Sequence, residues 1–310
     1  MGLGPETDTV AGPADAANLP PHRRLLLFFQ GKRVSQMIYG LTVLGVADRL
    51  AGGPMTAAEL AEAVGADAGA LYRVLRCTAS VGVFSQHPDG RFALTPMADA
   101  LRADSPVSQR DLVLHDGDEL GWRPLVEILH TLRTGEPAVP RALADRLQTD
   151  PLYGQLKARY DRAADEALLE SFDFTRFDQI IQIGGGYPMP GLPVSRLLPV
   201  SDLDELPGGS EAYLLRHPVH ALDDDRLLEV FGYVRRAATG QARLLVCAFV
   251  LSGPNAWDAG KFVDVDIMLT SGGRHRDLAE WRRLVGVAGF EPAGPVRAGG
   301  WAVLECELLY

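Results

Sequence analysis

Two short segments of the sequence combine residue types that suit chemistry. The glycine triplet Gly184–Gly186 follows the apolar stretch Gln179–Ile183, and a turn without side chains lets a backbone approach a bound ligand closely. Arg216–His220 follows a second apolar stretch, Ala212–Leu215, and contains one guanidinium and two imidazoles. Imidazole is the side chain most often used to move protons near neutral pH. Each segment alone is a weak signal, because glycine triplets and single histidines are common.

The elements that must position both segments alternate between strand and helix from Phe177 onwards. This order is typical of a mostly parallel sheet covered by helices. Asp264 and Asp266 precede an apolar helix and are candidates for its cap. We predict strands at Gln179–Ile183, Ala212–Leu215, Arg243–Leu251 and Ala302–Leu309, and helices at Asp223–Ala238 and Leu278–Ala288.

The preceding half of the chain is predicted to be mostly helical. Residues 22–50 have the apolar spacing of one helix, and such an apolar helix requires burial against another surface. Residues 54–105 predict a helix, a second helix and a β-hairpin, which together form a winged helix. The first helix starts with the capping box Thr56–Glu59, and the hairpin turns at Pro88–Gly90.

The composition excludes several classes of partner. The net charge is −10, and the second winged-helix segment offers only Arg73 and Arg76 as cations, so we expect no nucleic-acid partner. No apolar run reaches the roughly 18 residues of a membrane span. Met1–Pro21 lacks the order of a signal peptide, which predicts a cytoplasmic protein. Three widely separated cysteines predict buried free thiols without a disulfide or a metal site.

The ordered set of motifs resembles the small-molecule O-methyltransferase family, which includes plant caffeic acid methyltransferases and tailoring enzymes of bacterial polyketide pathways. Members transfer a methyl group from S-adenosylmethionine to a substrate hydroxyl. The motifs that carry the resemblance are the winged helix, Ile181–Gly186, Asp202, Leu206–Gly209, Tyr213–His220, Asp264–Leu269, Gly272–Arg274 and Ala288–Phe290.

The resemblance implies a role for several positions. His220 falls where the family places its catalytic base, and Arg216 falls where a cofactor-contacting cation often lies. His217 is a further catalytic candidate, and His275 replaces a glutamate that is common in the family. The implied cofactor positions are Gly184, Gly186 and Asp202, and the candidate pocket residues are Trp122, Trp257, Asp266, Met268 and His275.

The resemblance also implies an α/β protein in two main parts. The first is a mostly helical winged-helix dimerisation domain, and the second is a Rossmann-like methyltransferase domain with a truncated sheet. We expect a homodimer through the N-terminal helices. The predicted divisions are a flexible arm at 1–21, the dimerisation domain at 22–105, a helical linker and substrate lid at 106–176, and the Rossmann-like domain at 177–310.

One interval departs from the family pattern. Only residues 187–201 separate Gly186 from Asp202, whereas one strand–helix–strand unit needs about 30 residues. Pro188, Pro190 and Pro193 also oppose a regular helix there. The interval predicts that a strand–helix step is missing and that the cofactor positions are remnants, so we expect no cofactor.

Three functions follow from these observations. The first is a natural-product tailoring enzyme that does not use S-adenosylmethionine. It would catalyse a cyclisation, isomerisation, elimination or pericyclic step on a polyketide-like or aromatic molecule, with His220 as acid or base. The second is a conventional methyltransferase that does use S-adenosylmethionine. The third is a non-catalytic subunit that pairs with an active methyltransferase.

Overall fold

The computed structural model describes residues 20–139, 146, 149–184, 187–216 and 219–309. The chain forms two compact units that divide between Trp122 and Arg123. Residues 1–19 of the predicted arm, Gly186 and His217 lie outside the described residues. The predicted domain boundaries at 21, 105 and 176 remain predictions.

The first unit contains helices and one hairpin. The segment predicted as one helix over 22–50 is two helices, because Gly45 adopts a left-handed conformation with φ of 68° and breaks the run. The elements are α1 (Pro21–Val43), α2 (Val46–Leu50), α3 (Ala57–Val64), α4 (Ala68–Ser80), β1 (Phe84–Gln86), β2 (Phe92–Leu94), α5 (Pro96–Asp99) and α6 (Arg110–Gly117); α7 (Glu119–Val126) crosses the division.

The predicted winged helix is present and begins as its sequence requires. The Thr56 hydroxyl accepts the Glu59 amide, and the Glu59 carboxylate accepts the Thr56 amide, which satisfies two free donors of α3. β1 and β2 pair antiparallel with Phe84 opposite Leu94. The buried side chains of α2, α3, α4 and the hairpin form one core around Leu60, Leu75 and Phe92.

The second unit is built on a mixed sheet. Its strand order is β4-β3-β5-β6-β10-β8, in which β4, β3, β5 and β6 are parallel and β10 is antiparallel to β6. The elements are α8 (Ile128–Thr134), α9 (Pro151–Ser171), β3 (Ile180–Ile183), β4 (Val194–Leu198), β5 (Ala212–Arg216), α10 (Asp224–Ala237), β6 (Arg243–Leu251), α11 (Ala259–Ser271), β7 (Arg276–Asp277), α12 (Leu278–Val287), β8 (Phe290–Pro292), β9 (Val296–Ala298) and β10 (Trp301–Leu308).

Helices cover both faces of this sheet. On one face the strands pack with α10 and α12 around Phe231 and Trp281. On the other face they pack with α9 around Leu168 and Leu214. Successive strand residues point to opposite faces, so Gln182 and Arg216 project towards α9 together with Leu214. Both polar side chains are fully buried.

The connection that follows β3 is short. Residues 184–193 connect β3 to β4, and the described part of this connection contains no helix. β4, which the sequence did not predict, pairs directly with β3. The sheet therefore keeps a parallel neighbour for β3 although the interval is short.

The structure tests two smaller predictions, which concern the cap of α11 and the state of the cysteines. Asp264 and Asp266 lie inside α11, so their assignment as caps was wrong. Asp258 caps this helix by accepting the Gly260 amide at 2.8 Å. The cysteines are free thiols, of which Cys247 and Cys306 are buried and Cys77 is half-buried.

Candidate functional site at the carboxyl edge of the sheet

The carboxyl ends of parallel strands meet at one edge of the sheet. β3 and β5 are in register, with Ile183 beside Leu215. Gly184 follows β3, and a 3₁₀ turn at Val219–Ala221 follows β5. Gly184 and His220 therefore lie at the same edge, where open α/β sheets bind their ligands.

The turn that carries His220 is held against the segment that carries His275. The Arg274 amide donates to the His220 carbonyl oxygen at 2.7 Å. Gly273 permits this approach, because a Cβ there would lie 2.3 Å from the same oxygen. The ring centroids of His220 and His275 consequently lie 5.6 Å apart, with an interplanar angle of 55°.

Both imidazoles are neutral at pH 7. Burial lowers the pKa of His220 to about 4, with smaller effects in the same direction from His275 and Lys157 and an opposing effect from Asp161. Burial likewise lowers the pKa of His275 to about 4. A neutral imidazole has a nitrogen lone pair, so His220 can accept a proton or a hydrogen bond from a substrate.

Aromatic rings continue from the two histidines along the sheet. The Phe249 ring lies 5.2 Å from that of His275 and 5.8 Å from that of Trp301, and the Trp301 ring lies 5.8 Å from that of Tyr160. Phe249 on β6 stands opposite Trp301 on β10. We call Tyr160, Trp301, Phe249, His275 and His220 the aromatic row. Such rings favour contact with another planar ring.

Arg276 fixes the turn that follows β5. Its guanidinium is fully buried and donates to the Leu222 carbonyl and to the Asp224 carboxylate, both at 2.8 Å. A longer contact of 3.5 Å reaches the Val219 carbonyl. The acceptors lie on both sides of His220 in sequence, so one side chain anchors the whole turn.

Arg216 forms a buried ion pair with Asp165. Its Nε donates to Asp165 Oδ1 at 2.8 Å, and a second nitrogen pairs with Asp165 Oδ2. Burial raises the pKa of the Asp165 carboxyl, and the neighbouring Arg216 opposes this effect. Asp165 on α9, and not Asp202, is therefore the acidic partner of Arg216.

The segment after the glycine turn crosses the edge between β3 and β5. We call residues 187–193 the strap. The Tyr187 carbonyl accepts from Gln182 Nε2 at 2.8 Å and from Arg216 at 3.3 Å, and the Arg216 guanidinium lies 4.6 Å from the centre of the Tyr187 ring. The Met189 amide donates to Gln182 Oε1 at 2.8 Å. Hydrogen bonds thus hold the strap to two buried polar side chains, Gln182 on β3 and Arg216 on β5.

The remaining predicted site residues are more dispersed, and their roles stay predictions. Asp202 is exposed beyond β4 and accepts from the Ser201 hydroxyl at 2.8 Å. Asp266 is exposed on α11 and Met268 is half-buried on the same helix. Trp257 is 81% exposed beside Phe262. Trp122 is half-buried on α7 in the first unit.

Several residues of this edge escaped the sequence reasoning. Phe249, Trp301, Arg276 and Tyr187 read as ordinary core, charge or loop residues. Asp165 had a detectable signal, because it shares the buried face of α9 with Leu168 despite its charge. Its partner lies far away in sequence and could not be read from the pattern.

The second unit also has a cavity at a distance from this edge. A cavity of about 390 Å³ opens at the opposite edge, next to Glu211 and Arg243 at the amino ends of β5 and β6. Within the described residues, no group of three or more histidine, cysteine or acidic side chains is placed to hold a metal ion. In the same part of the chain, no helix is long and apolar enough to cross a membrane.

Comparison with known protein families decides the relationship. Residues 26–104 match the O-methyltransferase dimerisation domain, and residues 201–291 match the O-methyltransferase domain. The chain belongs to the O-methyltransferase family. The two matches fall in the two compact units, and the interval with the short connection lies between them.

Relatives of this O-methyltransferase chain align with almost its full length. It is 29% identical to the phenazine O-methyltransferase PhzM of Lysobacter antibioticus, over 94% of this chain and 98% of that protein. It is also 29% identical to the 8-amino-8-demethylriboflavin N,N-dimethyltransferase of Streptomyces davaonensis, over 92% of this chain and 95% of that protein. Both oxygen and nitrogen methylation thus occur among the relatives.

A solved structure shows the same fold with ligands. The O-methyltransferase NcsB1 from neocarzinostatin biosynthesis is 25% identical, with a TM-score of 0.67 over 89% of this chain and 96% of that one. It was solved with S-adenosylhomocysteine and 1,4-dihydroxy-2-naphthoic acid, and also with S-adenosylmethionine and a naphthoic acid.

These relatives correct two predictions. The predicted tailoring enzyme that works without S-adenosylmethionine is wrong, and so is the prediction that no cofactor is used, because the relatives are methyltransferases and NcsB1 was solved with the methyl donor bound. The error came from treating the short interval as loss of the whole edge. β4 instead pairs with β3, and an acid, Asp202, still follows the strand beside the glycine turn.

The strap lies near the place where folds of this class hold a nucleoside. In Rossmann-like folds a nucleoside lies outside the carboxyl ends of the strands, beside the glycine turn. Gln182 and Arg216, at the ends of β3 and β5, are hydrogen-bonded to the strap.

Proposed function

We propose that this protein is an S-adenosylmethionine-dependent methyltransferase of natural-product biosynthesis that methylates an oxygen or nitrogen of an aromatic small molecule. One observation carries the proposal: in a chain of this family, a neutral, half-buried histidine stands at the carboxyl edge of the sheet at the end of the aromatic row. We further propose that it works as a homodimer, in keeping with its match to the dimerisation domain.

The residues of the edge have separate tasks in this proposal. The aromatic row gives a planar substrate a surface to stack on and aligns its reactive group with His220. His220 accepts the proton of a substrate hydroxyl and later passes it to solvent. The methyl donor, when bound, supplies an electrophilic methyl group. Arg276 and Gly273 keep His220 beside His275.

The test is a search for turnover. The purified protein is incubated with S-adenosylmethionine and a panel of hydroxylated or aminated aromatic compounds, with aliphatic alcohols as comparison, and S-adenosylhomocysteine is measured by mass spectrometry. We expect product only with aromatic acceptors. Absence of product from every aromatic acceptor, with a folded protein, would contradict the proposal.

The base is tested with the best acceptor of this panel. His220→Ala should lower kcat/KM roughly 10²–10⁴-fold for a hydroxylated acceptor, because general-base catalysis contributes on this order. His87→Ala is the matched control, since His87 is exposed in the hairpin turn of the first unit. Equal turnover by the His220 variant would remove this residue from the mechanism.

A further inference from the structure

We infer that the strap occupies the place of the methyl donor in the free protein and must leave it before the donor binds. The inference rests on the proposed function. It concerns the order of events at the edge and reconciles a family that binds the donor with a structure in which the edge is covered.

The position of the strap supports the inference first. Gln182 is the penultimate residue of β3, and Arg216 is the last residue of β5. Both donate to the same carbonyl oxygen, that of Tyr187. The backbone at Tyr187 therefore lies beside the carboxyl ends of two adjacent parallel strands, next to the crevice in which such folds bind nucleosides.

The polar groups under the strap indicate an exchange of partners. Gln182 is fully buried, and its amide bonds with the carbonyls of Gly184 and Tyr187 and with the Met189 amide. Leaving these groups unpaired is costly, so the strap cannot simply lift away into solvent. A ligand that carries both hydrogen-bond donors and acceptors can replace it. S-adenosylmethionine has ribose hydroxyls, an amino group and a carboxylate.

The strap is also built so that it can be released. Met189 is its only fully buried side chain, at 1% exposure, whereas Tyr187 is 41% exposed. Its three prolines lack amide hydrogens and cannot donate to the sheet. Gly184 before it and Gly191 within it have φ of 79° and 76°, in the region that glycine enters freely. The buried anchor Met189, the half-buried Leu192 and a few hydrogen bonds thus hold it closed.

Loosening this anchor should strengthen donor binding. If the closed strap competes with the donor, the apparent Kd equals the intrinsic Kd divided by the open fraction. Met189→Ala removes the buried anchor and leaves the polar groups of Gln182 and Arg216 in place. We expect at least a tenfold lower apparent Kd and faster association.

The experiment uses S-adenosylhomocysteine as the probe, because it binds without turnover. Calorimetry gives Kd and stopped-flow tryptophan fluorescence gives the association rate, for the full-length protein and for Met189→Ala. Met55→Ala is the control, since Met55 is a half-buried methionine of the first unit. Tyr187→Ala, which removes an exposed ring and the stacking on Arg216, gives a second loosened strap should Met189→Ala fail to fold.

Hydrogen exchange of the wild-type protein gives an independent readout. The Met189 amide should exchange faster when the probe is bound, because it loses Gln182 as its partner. Weaker probe binding by both strap variants, or slower exchange at Met189 in the complex, would show that the strap holds the donor and would overturn the inference alone. No binding to the wild-type protein or to either strap variant would overturn the proposed function as well.

Discussion

Gly273 shows how a single missing side chain determines the position of His220, the proposed base. The His220 carbonyl oxygen would lie 2.3 Å from a Cβ at this position, and Ile267 Cγ2 would lie 2.9 Å away. Only a hydrogen atom fits, so the two backbones can approach until the Arg274 amide reaches His220. The neighbouring Gly272 serves a different purpose, because it ends α11 with a left-handed φ of 72°.

We predict that Gly273→Ala separates the histidines. The added methyl group must push the His220 turn away, and overpacking of this kind costs about 1–3 kcal/mol. The free energy of unfolding and kcat should both fall. Gly253→Ala is the matched control, since a Cβ at Gly253 meets nothing within 4 Å. Unchanged kinetics of Gly273→Ala would show that the approach does not matter.

The buried imidazoles predict a pH dependence of stability. Their pKa values are about 4 in the folded protein and 6.5 in the unfolded chain. Between these values the unfolded chain binds more protons, so stability falls as the pH is lowered from 6.5 towards 4. Each unit of pKa difference corresponds to about 1.4 kcal/mol per group.

Denaturant unfolding at pH 7 and pH 5 measures this effect. The double variant His220→Gln with His275→Gln should lose much of the decrease that the wild-type protein shows between these pH values. His87→Gln is the control for an exposed histidine. If the double variant and the wild-type protein lose stability equally, other groups cause the acid sensitivity.

At the scale of elements, Arg276 joins β7 to the turn after β5. Arg276→Lys keeps the charge but replaces a fork of donors with one ammonium, which cannot reach Leu222 and Asp224 in the same geometry. We expect kcat to fall about tenfold or more with little change in KM, because binding residues of the aromatic row remain.

Arg283→Lys is the matched control for this variant. Arg283 also donates to Asp224, at 2.7 Å, but it is exposed and contacts Oδ2, whereas Arg276 contacts Oδ1. Steady-state kinetics of both variants should separate the anchored turn from a general effect on Asp224. Similar kcat values for the two variants would contradict the assignment.

Local patterns predicted the elements whose signals lie within their own sequence. The capping box at Thr56 and the turn at Pro88–Gly90 determine where α3 and the hairpin begin and turn. β4 escaped because Pro193 and Pro199 flank it and its exposed edge residues, Ser195 and Arg196, weaken the apolar pattern. Its formation depends on pairing with β3, which no local pattern contains.

The candidate site, too, could be predicted from local patterns only in part. The position of His220 followed from the order of motifs, and the ends of parallel strands brought it to the same edge as the glycine turn. The partner of Arg216 could not be found in this way, since Asp165 comes from a helix that precedes the sheet. Contacts between distant segments are decided by packing, as the pairing of Arg216 with Asp165 and with the Tyr187 carbonyl illustrates.

At the scale of the whole molecule, α1 presents apolar side chains that this chain leaves uncovered. Phe28 is 77% exposed and Phe29 is 59% exposed, in a segment that matches the dimerisation domain. Contiguous exposed apolar residues mark an interaction surface. We predict that Phe28→Asp with Phe29→Asp converts a dimer to a monomer.

Light scattering after size-exclusion chromatography measures the mass of this variant. Met97→Asp is the control, because Met97 is 57% exposed on α5, outside α1. A double variant that remains dimeric would place the subunit contact elsewhere in the chain.

The family order predicted the architecture of the whole chain better than its chemistry. The motifs indicated a helical dimerisation domain and a methyltransferase-fold domain, which the family matches and the related structures confirm. The interval after Gly186 led to a wrong function, because its length was taken as a measure of what the edge could still bind. Length limits the number of elements, but pairing between β3 and β4 decides which strand ends remain adjacent.

The two buried thiols, Cys247 and Cys306, can report how often the sheet of the second unit opens. Burial raises the pKa of Cys247 and Cys306 to about 12, so both stay protonated and unreactive towards alkylating reagents while β6 and β10 are paired. Reagent can reach them only during an opening of the second unit. Cys77, half-buried on α4, labels the first unit instead. The rate of alkylation at Cys247 and Cys306, compared by mass spectrometry with that at Cys77, therefore reports opening of the second unit without any introduced label.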